Sequence, residues 1–284
     1  MSMYQDTFSS AFKRGYMRIP TVIRFMITAN VIVFVVMVLG GQFVQEMAVR
    51  YLALNPEWPV VLYEPWRLFT YMFVHGSGFH LIFNMLWLWW MGRLVEEAIG
   101  TRSFLVLYLG SGLGGAFLDV PLSLVLGSNL VIGASGAVFG VMVAFAVLYP
   151  RMPIMLLLLP PIEARFLVAG LIALDLLLLG GEDNIARVVH LGGAGMGYLL
   201  IRWHQKGLDL SAFVRPIERL WQEPPKKKSK KARNEKMYSV SDVVIIEETD
   251  QTELDAILEK ISKEGYDGLT AEEKRKLFEL SKKN

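Results

Sequence analysis

Between Phe25 and Ile201 charged residues are sparse and long apolar segments recur, whereas from Arg202 onward charges are dense. This asymmetry constrains the fold more than any motif does. A helix needs about 20 apolar residues to cross a bilayer, and six segments are candidates. They lie at about Pro20–Gly41, Phe79–Ile99, Phe104–Leu126, Ser135–Tyr149, Ala164–Leu179 and Ala186–Trp203. The fourth is short, roughly 22 Å at 1.5 Å per residue, so Gly133–Ser135 must begin below the outer surface. Composition agrees with this reading. Of 284 residues 53% are apolar and mean hydropathy is +0.39, rare for a soluble domain of this length. The expected fold class is an all-α membrane protein, a six-transmembrane-helix bundle with a small helical cytoplasmic tail.

Lys and Arg near the segment ends orient such a bundle. Lys13, Arg14, Arg18 and Arg24, then Arg93 and Arg102, Arg151 and Arg165, and finally Arg202 and Lys206 all fall on one side of a six-span arrangement. That side is the cytoplasm, with both termini in it and Ser135 toward the outer face. The opposite loops are poorer in basic residues, although Arg50 and Arg67 lie in the first. The expected organisation is a cytoplasmic segment over 1–19, a membrane domain over 20–206, a basic linker over 207–237 and a helical module over 238–284. Met1–Pro20 is polar and basic without a cleavage-site pattern, so the first apolar segment is expected to stay attached. The loop from Gln42 to Gly78 is rich in aromatics, which suit a membrane interface. The run "PPKKKSKKARNEK" reads as a solvated linker suited to anionic headgroups. In the tail, Leu254, Ile257, Leu258 and Ile261 sit at helical spacing, and Thr270 with Glu273 reads as a capping box.

No cysteine is present, which excludes disulfides, thiolate metal sites and a cysteine nucleophile. Four histidines without HExxH leave no obvious zinc ligand set. An aspartyl intramembrane protease would want two membrane aspartates, and only Asp175 is central, with Asp119 nearer the outer end of the third helix. No inverted repeat of the kind a transporter would show is visible.

Polar groups at membrane depth are costly and therefore informative. Those that matter are His80, Asn84, Ser135 and His190, with Asn30 and Asp175 as lesser cases. His80 and Asn84 are four apart, on one face of the second helix. Gly136 and Gly140 form GxxxG beside Ser135, and Gly192, Gly193, Gly195 and Gly197 strip bulk from the sixth helix after His190. Small residues at such spacing allow two backbones to approach closely, which brings His190 over Ser135. A serine hydroxyl is a poor nucleophile until a base takes its proton, and a histidine supplies that base. The Ser135 N–H at a helix start, with His80 and Asn84, offers donors for the developing oxyanion. Each residue has an ordinary alternative. A membrane serine often bonds the preceding turn, a lone histidine is often structural, and GxxxG occurs by chance. Asp175 is expected to be neutral or partnered inside the bundle, and a structural hydrogen bond to a neighbouring helix is the favoured reading.

"HLIFNMLWLWW" (His80–Trp90), "GASG" (Gly133–Gly136) and "HLGGAGMG" (His190–Gly197) together resemble the rhomboid intramembrane serine proteases. Trp66-Arg67 is similar to that family's WR pair, and Gly92, Glu96 and Gly100 to its GxxxExxxG motif. The resemblance covers roughly residues 15–206, with the motifs in the family's order. It implies a six-helix rhomboid-like core and catalysis by Ser135 and His190 as a dyad without a third acid. It implies an oxyanion site from His80, Asn84 and backbone around Gly133–Ser135. It also implies an aromatic ring, here Phe139, packed on the catalytic imidazole, with Gly136 and Gly193 letting the two helices meet. Many relatives have Tyr at the Phe139 position, and the family commonly has Ala where Val189 stands. His75 fits a recurrent loop histidine, read as structural, and His204 is incidental. The tail resembles a short cytoplasmic module of some bacterial rhomboids, to which no activity attaches.

The expected function is therefore an intramembrane serine endopeptidase that cuts transmembrane or membrane-proximal segments of membrane proteins. The alternative is a catalytically silent rhomboid-like protein that binds transmembrane segments. Expected partners are single-pass membrane proteins and the bilayer of the cytoplasmic membrane, with a possible cytoplasmic partner for the tail. No cofactor, metal or nucleic acid is expected.

Overall fold

Each of the six apolar segments forms a helix. The computed structural model describes residues 8–127, 129–156, 160–179, 184–216 and 255–281. The chain opens with α1 (Phe8–Met17), α2 (Thr21–Leu39) and α3 (Gly41–Leu52). Two short helices follow, α4 (Trp58–Tyr63) and α5 (Arg67–Thr70), leading into α6 (Gly78–Ile99) and α7 (Thr101–Leu126). Then come α8 (Ser135–Leu148), α9 (Ala164–Leu177) and α10 (Asn184–Gln205). A two-stranded antiparallel ladder precedes α9, pairing Pro153 with Glu163 and Ile154 with Ile162. Among the described residues, α2 and α7 are long and apolar enough to cross a membrane, and α8 is apolar but shorter. Phe25, Ile32 and Val36 of α2 lie exposed. Hydrocarbon, not water, suits such a surface.

Glu96, Gly92 and Gly100 tie the C-terminal end of α6 to its neighbours. Pro20 gives α2 no side-chain cap. Instead the buried Glu96 carboxylate accepts from the Val22 and Ile23 N–H groups, each at 3.2 Å. It thus answers two of the donors that a helix start leaves unpaired, where the helix dipole also favours a negative charge. One turn earlier, a Cβ on Gly92 would stand 3.2 Å from the Ile23 side chain and 3.3 Å from Phe104. Gly100 ends α6 and leads directly into α7.

The loop between α3 and α6 is built on Arg67. Its buried guanidinium donates to the carbonyls of Ala53, at 2.9 Å, and Arg50, and to the Glu64 carboxylate. The Thr70 hydroxyl donates to Leu52 O at 2.8 Å and the Trp66 indole to Tyr51 O at 3.0 Å. The open carbonyls at the end of α3 are therefore taken up by side chains from α5 and the residue before it. An isolated bridge between Leu54 and Val131 joins this loop to the segment that enters α8. The His75 ring is buried at the same junction, its Nε2 accepting from the Ala134 N–H at 3.4 Å. Burial, with the His80 imidazole beside it, pushes His75 down to about 4.

The centre of the bundle is the seam of α10 against α7 and α8. A Cβ on Gly193 would stand 2.0 Å from Gly136 O, and one on Gly197 2.5 Å from the Gly140 Cα. On the α7 side, a Cβ on Gly192 would stand 2.7 Å from Gly114 O, and one on Gly115 2.6 Å from Val189 O. The sequence pattern predicts the α8 contact but not the α7 one. Gly195 meets nothing within 4 Å, so it is not part of the seam. Val189, buried at 1% exposure, is accommodated by the glycines opposite it at 115 and 136.

The chain divides into two units at Glu223/Pro224. Leu210, within the stretch expected to be linker, is fully buried in the first unit's core. The basic run from Pro225 to Lys236 lies outside the described residues, as does Leu254. In the second unit, helices over 255–264 and Ala271–Ser281 flank a short 3-10 turn. Ile257 and Leu269 are buried there, while Leu258 is 48% exposed and does not join that small core. The capping box forms: Thr270 N–H donates to the Glu273 carboxylate at 2.7 Å, and Glu273 N–H to the Thr270 hydroxyl at 3.3 Å.

Two stability predictions arise. Gly193→Ala places a methyl on the Gly136 carbonyl and should cost about 1–3 kcal/mol, lowering the melting temperature in detergent by several degrees. Gly195→Ala should leave it unchanged or slightly raised, and equal melting of the two variants would refute the seam. Since the His75 value when folded lies below its ordinary 6.5, folding disfavours the protonated ring. Stability from this residue is full above about 6.5 and is lost as pH falls toward about 4. Melting followed across that window should fall less for His75→Gln than for the wild type.

Candidate active site

Residues from α6, α8, α9 and α10 converge where α8 begins. The chain reaches α8 through Gly133, whose φ of +117° is a conformation that side-chain-bearing residues rarely adopt. Space demands glycine there as well, since a Cβ would stand 2.6 Å from Nε2 of His80. The Gly133 N–H donates to Tyr71 O at 2.9 Å, and the Ala134 N–H is taken by His75. These two bonds fix the entry so that Ser135 is the first residue of a 14-residue helix. Its N–H has no intrahelical acceptor and points along the positive end of the helix dipole. Gly133 was expected among the oxyanion donors. With its N–H already bonded to Tyr71, its contribution here is to turn the chain and make room for the His80 ring.

His190 lies in the second turn of α10, half-buried, beside Ser135. Its Nε2 is 2.8 Å from Ser135 Oγ. Phe139, one turn after Ser135, stacks on the imidazole with ring centroids 4.4 Å apart and planes 8° from parallel. A face-on ring at that distance fixes the plane of the imidazole and covers one face of it. The seam described above sets the separation, since Gly136 and Gly193 are each one to three residues from the two functional side chains.

His80 and Asn84 share a face of α6. His80 is half-buried, with its ring edge-on to His75 at 5.0 Å between centroids. Asn84 is buried, and its Nδ2 donates to His80 O at 2.8 Å. A primary amide carries two N–H groups, so one remains for another acceptor. Asn30, the lesser polar case on α2, is fully buried and donates to Met26 O at 2.8 Å, a bond within its own helix.

Asp175 departs from the expectation. Because α9 ends at Leu177, Asp175 stands in the last turn of the helix and not well inside it. It does hydrogen-bond a neighbouring helix, but its partner there is His190, the residue beside Ser135. Asp175 Oδ2 is 3.0 Å from His190 Nδ1, which sets a carboxylate where the resemblance implies no acid. The signal in the sequence was a single acidic residue in the fifth apolar segment, with nothing to say which way it faced. Trp66, Arg67, Gly92, Glu96 and Gly100 lie in the loop and in the contacts of α6 with α2 and α7, where they order the frame.

Comparisons with known proteins agree with this arrangement. Residues 63–204, half the chain, match the Rhomboid domain family. Residues 247–283 match a family of unknown function, DUF6576. RHOMBOID-like protein 4 of Arabidopsis thaliana is 36% identical over 144 residues, covering 48% of this chain and 33% of that protein. RHOMBOID-like protein 1 of the same plant is 36% identical over 155 residues, covering 52% and 36%. Rhomboid protease GlpG of Enterobacter sp. (strain 638) is 32% identical over 118 residues, covering 41% and 40%. The chain thus spans a third to two fifths of the length of these relatives. With the family matched over half the chain, this helical membrane protein belongs to the rhomboid family.

Proposed function

We propose that this protein is an intramembrane serine endopeptidase that cleaves transmembrane or membrane-proximal segments of single-pass membrane proteins. The observation that carries the reading is the 2.8 Å contact between His190 Nε2 and Ser135 Oγ at the start of α8. Ser135 is the nucleophile. His190 takes its proton as Oγ adds to the scissile carbonyl, then returns that proton to the leaving amine as the carbon–nitrogen bond breaks. Water repeats the sequence on the acyl-serine, with His190 again the base, and frees Ser135. The carbonyl oxygen becomes an oxyanion in each addition. The Ser135 N–H, the spare N–H of Asn84 and the His80 ring are its donors, and Gly133 shapes the approach. Fixed donors in a site shielded from bulk water are worth more than the same groups in solution. Phe139 holds the imidazole in plane. No step needs a cofactor.

The same reading supplies a topology. Helices α2, α6, α7, α8, α9 and α10 form a six-span bundle, both termini lie in the cytoplasm, and Ser135 lies toward the outer face of the cytoplasmic membrane. The segment over 1–19 precedes the bundle. Past Leu210, which the bundle's core still holds, the basic linker leads to the terminal module over 238–284. The short α8 starts below the outer surface, so a substrate backbone must unwind locally to bring its carbonyl to Ser135.

Three outcomes test the proposal with detergent-purified protein and a single-span substrate. Ser135→Ala and His190→Ala should each abolish cleavage and leave melting near wild type, and the double variant should be no worse than either single one. A fluorophosphonate should label the wild type and not Ser135→Ala. Asn84→Ala should slow turnover by about 10²-fold without removing it, because other donors remain. Retained turnover in Ser135→Ala refutes the mechanism. A wild type that binds single-span segments but neither cuts nor labels would instead be the silent binding protein.

A further inference from the structure

The hydrolytic steps above use one nitrogen of the His190 ring, with Phe139 on one of its faces, and leave the other nitrogen to Asp175. The Asp175 Oδ2–His190 Nδ1 separation is 3.0 Å and the His190 Nε2–Ser135 Oγ separation 2.8 Å. A neutral imidazole carries one proton, on one of its two nitrogens, and an ionised carboxylate can only accept. Facing an ionised Asp175, Nδ1 carries the proton. That leaves Nε2 with the lone pair that takes the proton of Ser135. In the opposite tautomer Nε2–H would donate to Ser135 Oγ and have no lone pair to take the serine proton. When Nε2 takes the serine proton the ring becomes a cation, and its Nδ1–H then faces an anion. This attraction grows as the charge develops, so it favours the transition state over the resting site. The side chains of His190 and Asp175 are 19% and 15% exposed, so solvent screens the pair only in part.

We propose that Asp175 is a positioning residue for catalysis, which holds His190 in the Nδ1–H tautomer and stabilises its protonated form. Ser135, His190 and Asp175 then act as a three-residue unit assembled from α8, α10 and α9. The proposal rests on the hydrolytic reading of Ser135 and His190. The rival account is that the bond merely pins α9 to α10. A pin would govern how the substrate enters, and so KM and melting, but not the reactivity of the serine toward a small reagent.

The test compares the full chain in detergent as wild type, Ser135→Ala, Asp175→Asn and Asp175→Glu. Readouts are kcat and KM on a single-span substrate, the rate of fluorophosphonate labelling, and melting temperature. Asp175→Asn should lower kcat and the labelling rate together, by about 10²-fold or more, with KM within about threefold of wild type, because an amide no longer enforces one tautomer. Asp175→Glu restores an acceptor carboxylate in a half-exposed helix turn and should label faster than Asp175→Asn. Wild-type kcat and labelling in Asp175→Asn, with Ser135→Ala inert, overturn this inference alone. A change confined to KM overturns it in the same way. If Asp175→Asn melts far below wild type, labelling of Asp175→Glu decides: recovery above the Asn level supports the proposal and no recovery overturns it. A wild type that neither cuts nor labels defeats the hydrolytic reading and this inference with it.

Discussion

The contact on which the rest of the site depends is the approach of the α8 and α10 backbones at Gly136 and Gly193. In hydrocarbon no hydrophobic drive pushes helices together, so packing and polar contacts must hold them. Backbones this close leave no room for even a methyl group, since a Cβ on Gly193 would fall 2.0 Å from Gly136 O. The 2.8 Å contact of Ser135 with His190 is a consequence of that approach. The seam continues onto α7 through Gly114 and Gly115, which makes α10 a helix pinned on two sides. In the proposed reaction, a base carried on such a helix loses little orientational entropy, which is the advantage of a preorganised site.

Buried charges elsewhere in the bundle are used differently. Arg67 and Glu96 are both nearly inaccessible. The first is spent on carbonyls at the end of α3, the second on N–H groups at the start of α2. A buried charge is tolerable when hydrogen bonds replace its hydration, and backbone groups at helix ends are the partners that a helical bundle has to spare. Both residues stiffen the frame at its two ends: Arg67 holds the loop that leads to His75 and α6, and Glu96 fixes α2 on α6. Ser135, His190 and Asp175 instead meet side chain to side chain across three helices, an arrangement open to chemistry.

Much of this was legible in the residues themselves. The positions of all six apolar helices, the meeting of Gly136 with Gly193, the stacking of Phe139 and the Thr270–Glu273 cap were readable because each rests on short-range spacing or on a local motif. Three features were not. The α7 half of the glycine seam escaped because glycines along one helix do not say which neighbour they admit. Gly133 was read as an oxyanion donor, whereas its N–H is bonded to Tyr71 O, a partner 62 positions away that no local pattern reveals. Leu258 fitted the helical period of the tail yet is exposed, because periodicity selects a face without saying that anything covers it.

Asp175 joins these lines of thought. A lone acid in an apolar segment looks expensive when it is placed at the middle of a span. The expense shrinks once α9 is seen to end at Leu177, because the carboxylate then stands one turn from the helix end and partly open. The position carries a cost of its own, since the end of a helix is its negative pole and disfavours an anion. A carboxylate held there needs a donor, and His190 Nδ1 at 3.0 Å is the donor on hand. The demand runs both ways. The acid needs the ring's proton on Nδ1, and the serine needs it absent from Nε2. One proton position satisfies both neighbours of the imidazole, so in the proposed mechanism the arrangement that settles the lone acid is also the one that readies the base.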